Sequence, residues 1–381
     1  MDRILVVGAG FAGAVIAREI ADKTDHKVLV IDRRDHLAGN CHTERDQETG
    51  IMLHKYGAHI FHTGNLEVWS YIRRFGEFMP FINRPKAITD TGVYSLPINL
   101  HTINQFFGKK FSPKEAEEFI KIKADSSIEN PKNFEEQALK FMGAELYKAF
   151  FYGYTKKHWG CEPKELPVSI LKRLPLRFSY NDNYYSSTYQ GIPVDGYTKI
   201  VERMLDHSSI DVSLDTPWEK SMQTEFAHTF YSGPLDAYFD DQFGSLSYRT
   251  LYWEAVRDNG DVLGHPAHNF PSLDVKHTRR REHKHYEYWR EFEKTIVFTE
   301  FSKEAEKGDE LYYPKRLAND KTRLSDYITL AKNEEKTSFM GRLGTYRYLD
   351  MHRVIEESLQ LANEWISAQA EGCPLPIGKF S

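Results

Sequence analysis

At 381 residues the chain can bury a large core and is long enough for two or three domains. A net charge of −5 and a pI near 6.4 exclude a global basic field for nucleic acid or an anionic membrane, and no apolar run approaches the roughly 20 residues of a spanning helix. Cys41, Cys161 and Cys373 are odd in number, far apart and without CxxC spacing, which fits a reducing compartment and argues against a disulfide framework or thiolate zinc site.

The chain opens on an apolar run, Ile4-Leu5-Val6-Val7, that enters Gly8-Ala9-Gly10-Phe11-Ala12-Gly13 and then a helix-forming stretch from Ala14 to Ala21. A second run, Val28-Leu29-Val30-Ile31, ends on Asp32, roughly 20 residues past the last glycine, as a dinucleotide fingerprint requires. The glycines serve a tight turn, close approach of a pyrophosphate and helix packing, the helix start offers free N–H groups to phosphate, and Asp32 suits a ribose diol. Three glycines in this run also argue against a secretory leader. A second glycine turn, Arg33 to Asn40 with Gly39, follows as in FAD proteins of the glutathione-reductase class. His54, His59 and His62 have no carboxylate or thiolate at ligand spacing, so no metal is expected; His59 and His62 are placed against a flat cofactor instead.

From Pro80 the pattern changes. Lys86 to Thr89 and Val93 to Leu96, joined by Asp90-Thr91-Gly92, predict a hairpin. Ser112-Pro113-Lys114-Glu115 is a capping box and Asn133 caps another helix, so residues 101–160 predict a small helical unit. It closes on Phe150 to Gly160, an aromatic stretch with cations between the rings. Glu165 to Arg177 is polar, proline-bounded and carries Lys172, Arg173 and Arg177, the composition of a lid. A helix near 196–206 and a strand at His228 to Tyr231 return the chain to the first sheet, and 246–300 alternates as an antiparallel sheet does. Within it Lys276 to His285 is strongly basic, either a solvated face or four cations opposite a phosphate. Met351, Val354, Ile355, Leu359, Ala362, Trp365 and Ile366 then follow helical spacing after the glycine loop at Gly341, an order similar to that by which many FAD proteins point a helix N-terminus at the far end of the flavin.

Taken together, these motifs resemble the bacterial UDP-galactopyranose mutases. The resemblance is carried by Gly8 to Gly13, Asp35-His36 with Gly39-Asn40, Tyr56-Gly57 with His59 to Thr63, Ser95 to Leu100, Phe150-Phe151, Thr155 with Trp159-Gly160, and Leu171 to Pro175. Further on, Thr278-Arg279 with Glu282-His283, Tyr312 to Pro314 and Gly341 to Met351 also match, in order along nearly the whole chain. Ala58 replaces an expected proline, and the run 278–285 is more basic than usual.

The resemblance implies an α/β protein with a Rossmann-like FAD-binding domain (1–78, 190–240 and 315–381). Into it are inserted a helical domain (99–175, its mobile lid at about 164–177) and an antiparallel β-sheet domain (79–98, 176–189 and 241–314). It implies an isomerase that interconverts UDP-galactopyranose and UDP-galactofuranose through a bond between sugar C1 and N5 of reduced FAD, with NAD(P)H as external reductant. A cytoplasmic homodimer serving cell-surface polysaccharide synthesis is also implied. Arg173 and Arg279 would clamp the diphosphate, with His62 as a further catalytic group and Arg249 a neighbour of sugar or flavin. Tyr184, Tyr313 and Tyr348 would hydrogen-bond the diphosphate. Phe150, Phe151, Tyr154, Thr155 and Trp159 would hold uridine with Tyr180 more peripheral, and Asn83 would face the sugar. FAD would lie on Gly8, Gly10, Phe11, Gly13, Asp32, Arg33, Gly39, Asn40, Tyr56, His59, Ile60, Arg342, Tyr348, Asp350 and Met351. An FAD oxidase or dehydrogenase, and a non-catalytic nucleotide-sugar binder, are the alternatives left open.

Overall fold

The computed structural model describes residues 3–168, 170 and 176–380. The opening apolar run forms the strand Arg3–Val7, with Ile4, Leu5 and Val6 fully buried, at the centre of a five-stranded parallel sheet. Its neighbours are Lys27–Ile31 and then Ile210–Ser213 on one side, and His228–Tyr231 and then Thr337–Phe339 on the other. A strand buried on both faces needs continuous apolar sequence, and this one has it. One sheet thus takes strands from both ends and the middle of the chain.

The helix Phe11–Lys23 leaves the first strand through the glycine turn and packs against the C-terminal helix Met351–Glu371. Their contact joins Ala14, Val15 and Ala17 to Ile355, Leu359, Ala362 and Trp365, the apolar stripe that the sequence spacing predicts. The approach of helix to strand leaves no room at Gly13, where a β-carbon would stand 1.9 Å from the Gly8 carbonyl oxygen.

A second, seven-stranded sheet runs in the order Tyr313–Pro314, Tyr248–Asn259, Lys294–Glu304, Arg279–Glu282, Ala267–Asn269, Lys86–Thr89 and Gly92–Ser95. The hairpin expected around Asp90 is its far edge. The sheet is not wholly antiparallel, because that hairpin, coming from a distant part of the chain, joins Ala267–Asn269 in parallel. Helices Leu100–Phe107, Pro113–Lys123 and Phe134–Leu146 share a separate core with Ala87 and Tyr94 of the hairpin, and the capping box at Ser112 is formed as predicted. After Leu146 the backbone widens into a π-helical turn, Tyr147–Tyr152, and resumes as Gly153–Trp159. Such turns shift side chains around a helix axis and recur at functional sites; here the turn carries Phe150 and Phe151. Among the described residues no helix is long and apolar enough to cross a membrane.

Replacing Gly13 by alanine sets a methyl group against an immovable carbonyl. Gly13→Ala is therefore expected to lose ~1–3 kcal/mol of stability by overpacking. Chemical denaturation checks this, and an unchanged midpoint would contradict it.

Candidate functional site

A cavity of about 1130 Å³ lies where the parallel sheet, the large sheet and the helical unit meet. Eight arginine and lysine side chains against five carboxylates border it, a local cationic excess in a chain of net charge −5. Such a wall favours a ligand carrying several negative charges.

At one end stands the glycine turn. The helix Phe11–Lys23 begins there with no side-chain cap and no acidic residue in its first turn, so its N–H groups and positive dipole end are left for an anion. Asp32 accepts from the Ala9 N–H (2.8 Å) and the Arg34 N–H (3.0 Å), which fixes its carboxylate at the turn. Arg33 pairs with Glu310 at 2.5 Å, Arg34 also meets Glu310, and the Arg34 guanidinium lies over the Tyr56 ring. The Asn40 amide is occupied as a brace, accepting from Arg34 (2.8 Å) and donating to the Leu311 carbonyl (3.1 Å). Gly8, Gly10, Phe11, Gly39, Ile60 and His59 line the same wall, while Gly13 lies beneath it. These features fit a dinucleotide: a turn with room for a backbone contact to phosphate, a bare helix start, and an acid for the ribose.

In the middle of the cavity the C-terminal helix begins, with Asp350, Met351 and His352 on the wall. His62 stacks on Tyr185 (centroids 3.6 Å apart) and meets Ser187 Oγ at 3.1 Å. The ligating atoms of His62, Asp350 and His352 come within 4.8 Å of one another. The carboxylate absent near His62 in sequence thus arrives from Asp350, far along the chain. Arg342 donates to the Leu349 carbonyl (2.6 Å) and the Tyr312 carbonyl (3.0 Å) and lies over the rings of Tyr313 and Tyr348, which stack 5.5 Å apart. Asn83 and Tyr184 are held together, the Tyr184 N–H donating to the Asn83 carbonyl (2.8 Å).

The far end carries Phe150, Phe151, Tyr154 and Trp159 together with Arg279. Arg279 Nε donates to Tyr154 Oη at 2.6 Å, and its guanidinium reaches Glu300 at 3.2 Å. Arg281 approaches the same carboxylate at 3.5 Å. Burial works against a charged Glu300, but Arg279 and then Arg281 outweigh it and hold its pKa below the ordinary range. Burial also pushes the Tyr313 phenol up to about 12 and the Tyr154 phenol higher still, so both keep their protons and can donate.

Several expectations need correction. Tyr180, expected as a peripheral contact, does not border this cavity: it is 68% exposed and borders a separate hollow with Lys86, Ser95 and Asp182. Thr155 is buried and does not border the cavity. Arg249 is no neighbour of the cavity either, because its guanidinium is buried, donating to the Lys157 and His158 carbonyls and pairing with Glu304. Of the basic run, Arg279 and Arg281 face the cavity and Arg280 does not, as strand alternation dictates. That alternation is the signal that could have found Arg281; Glu300, Tyr185 and Trp218, also on the wall, have none of comparable strength. Arg173 and most of the segment 171–177 lie outside the described residues.

Comparison with known proteins follows the same lines. Residues 149–348 match the family model described as UDP-galactopyranose mutase, and residues 6–75 match that of an NAD(P)-binding Rossmann-like domain. The chain is 49% identical to a probable UDP-galactopyranose mutase of Klebsiella pneumoniae, over 98% of this chain and 97% of that one. It is 45% identical to a dTDP-fucopyranose mutase of Escherichia coli, over 97% and 100% of the two chains. A crystal structure of reduced UDP-galactopyranose mutase shares the fold, with a TM-score of 0.74 at 13% identity over 97% of this chain and 96% of that one.

Burial lowers His59 to about 4 and His158 to about 3, aided by Arg342 and Arg279 respectively. Burial likewise takes His228 and His283 to about 3. Below the unfolded value of about 6.5 the unfolded chain binds protons that the folded one refuses. The stability these groups contribute is complete above that pH and is lost as pH falls toward 4 and then 3. The thermal midpoint should decline from about pH 6.5 downward; a flat profile between pH 7 and 4 in a melting series would contradict it.

Proposed function

Because the chain belongs to the UDP-galactopyranose mutase family, and is thereby an isomerase of pyranose and furanose forms, we propose that it interconverts UDP-galactopyranose and UDP-galactofuranose with bound FAD. The observation that carries this reading is the two-ended cavity. A bare helix N-terminus and a ribose acid stand at one end, and a guanidinium set among aromatic rings stands at the other. An ordinary flavin oxidase has no need of the second end.

FAD would lie with its pyrophosphate at Gly8 to Phe11, its ribose at Asp32 and its ring toward Arg342, Asp350 and Met351. When reduced, it supplies the nucleophilic nitrogen for the anomeric carbon of the hexose. The remaining work falls to the chain. Arg279, kept charged and oriented by Glu300 and Tyr154, binds the diphosphate oxygens as negative charge gathers on the leaving group. Arg173 would act with it from the segment before Leu176. Tyr313, a protonated phenol, donates to the same diphosphate, with Tyr184 and Tyr348 beside it. Phe150, Phe151 and Trp159 offer ring faces to the uracil and exclude water from it. His59, neutral at physiological pH, orients rather than donates charge, and His62 and Asn83 face the sugar. NAD(P)H as reductant, a homodimer and a cytoplasmic setting complete the reading.

The 45% relative named for dTDP-fucopyranose makes that sugar the competing substrate. Dithionite-reduced protein should convert UDP-galactofuranose to the pyranose, separable by chromatography, without consuming reductant per turnover, and should prefer it over the dTDP-fucose pair. Failure with both sugars overturns the proposal, and preference for dTDP-fucose redirects it. Arg279→Ala should lower turnover by about 10²–10³-fold, as loss of one charge-stabilising donor does, while retaining FAD by absorbance. Normal isomerisation by that variant would remove Arg279 from the mechanism.

A further inference from the structure

Lys157 lies one turn beyond Tyr154 on the helix Gly153–Trp159 and does not border the cavity. Its ammonium donates to four backbone carbonyls, those of Phe270 (2.7 Å), Ser272 (2.6 Å), Val275 (3.0 Å) and His277 (2.9 Å). All four belong to the loop joining the strands Ala267–Asn269 and Arg279–Glu282, two on its outgoing limb and two on its return. The strands pair Asn269 with Arg279, so the loop closes directly onto the guanidinium-bearing residue.

Four carbonyl dipoles converging on one point repel one another unless a cation sits between them; carbonyl oxygens grouped in this way replace a cation's hydration shell. An ammonium has three N–H groups, fewer than the acceptors around it, so its charge as well as its hydrogen bonds holds the cluster. The same helical turn touches the hairpin twice more. Gly153 lies so close that a β-carbon there would stand 2.2 Å from the Pro271 carbonyl oxygen, and Tyr154 Oη accepts from Arg279 Nε. Pro271 itself borders the cavity, as do Phe150 and Phe151.

We propose that Lys157 is a positioning residue for the nucleotide: its ammonium gathers the Phe270–His277 loop against the helix and thereby sets Pro271 and Arg279 in the wall that receives the nucleoside diphosphate. The inference rests on the nucleotide reading above. It further assigns the four-carbonyl cluster as a monovalent-cation site that Lys157 fills from within the chain.

The experiment uses the flavin-loaded protein. UDP affinity is read by tryptophan fluorescence, flavin content by absorbance, and KM and kcat with UDP-galactofuranose. Lys157→Met, similar in length and uncharged, should weaken UDP binding and raise KM by about tenfold or more, the equivalent of ~1.4 kcal/mol, with flavin content kept and kcat changed less than KM. Lys157→Ala should recover UDP affinity and melting temperature in potassium or ammonium chloride but not in tetramethylammonium chloride of equal ionic strength, which is too bulky for the cluster. The unsubstituted protein should not distinguish the three salts. Unchanged UDP affinity in Lys157→Met overturns the proposal, as does a Lys157→Ala variant that behaves alike in all three salts. Should Lys157→Met fail to fold, the salt dependence of the Lys157→Ala melt still decides. Unsubstituted protein that does not bind UDP overturns the nucleotide reading instead, and the melt again decides the cation site separately.

Discussion

Guanidinium groups are useful to a diphosphate only where water does not compete for them, and a dry wall is where an unpaired charge is most costly. Glu300 resolves that conflict. Fully buried on a central strand of the large sheet, it accepts from Thr278 Oγ1 at 2.9 Å and faces Arg279 and Arg281 together. Two cations share one anion, so the pair is stabilised in place yet keeps a net positive charge toward the cavity. Shielding both arginines completely would leave nothing for a phosphate, and removing the carboxylate would leave two like charges to repel each other.

The rest of the wall answers to the same arrangement. Tyr154 receives the Nε of Arg279 while the guanidinium reaches Glu300, and Tyr154 is presented by the helix that follows the π-helical turn. That turn also directs Phe150 and Phe151 inward. On the other side Arg249 fastens the end of this helix to the large sheet through the Lys157 and His158 carbonyls and Glu304. A residue whose place in the sequence suggests a neighbour of the ligand is instead a fastening between the helical unit and the large sheet.

What could be seen in the sequence was what is local. The strand, glycine turn, helix and Asp32 are fixed by residues within one short stretch, and hydrophobic period and turn chemistry suffice to find them. The stripe from Ile355 to Trp365 was visible for the same reason. Glu300 was not, because its role comes from strand pairing that sets Arg279 opposite it. The group formed by His62 with Asp350 escaped spacing arguments, since its members meet only after the C-terminal helix docks. Tyr180 shows the converse. It lies in a tyrosine-rich stretch whose composition suits a ring-stacking site, but the backbone there carries Tyr184 to the cavity and leaves Tyr180 facing water.

The order of strands in the parallel sheet has a bearing on how the polypeptide reaches this state. Arg3–Val7 is flanked by Lys27–Ile31, which follows it at once, and by His228–Tyr231, which follows only after the helical unit. The edge strand Thr337–Phe339 and the C-terminal helix that packs on Phe11–Lys23 come from the last eighth or so of the chain. During synthesis the nascent N-terminal strands therefore wait, apolar and half-paired, while most of the polypeptide is made, and pairing so distant in sequence is slow and leaves edges exposed. A product cut short before its final helix would leave the helix Phe11–Lys23 without its apolar partner, the kind of exposed surface on which partly folded chains associate.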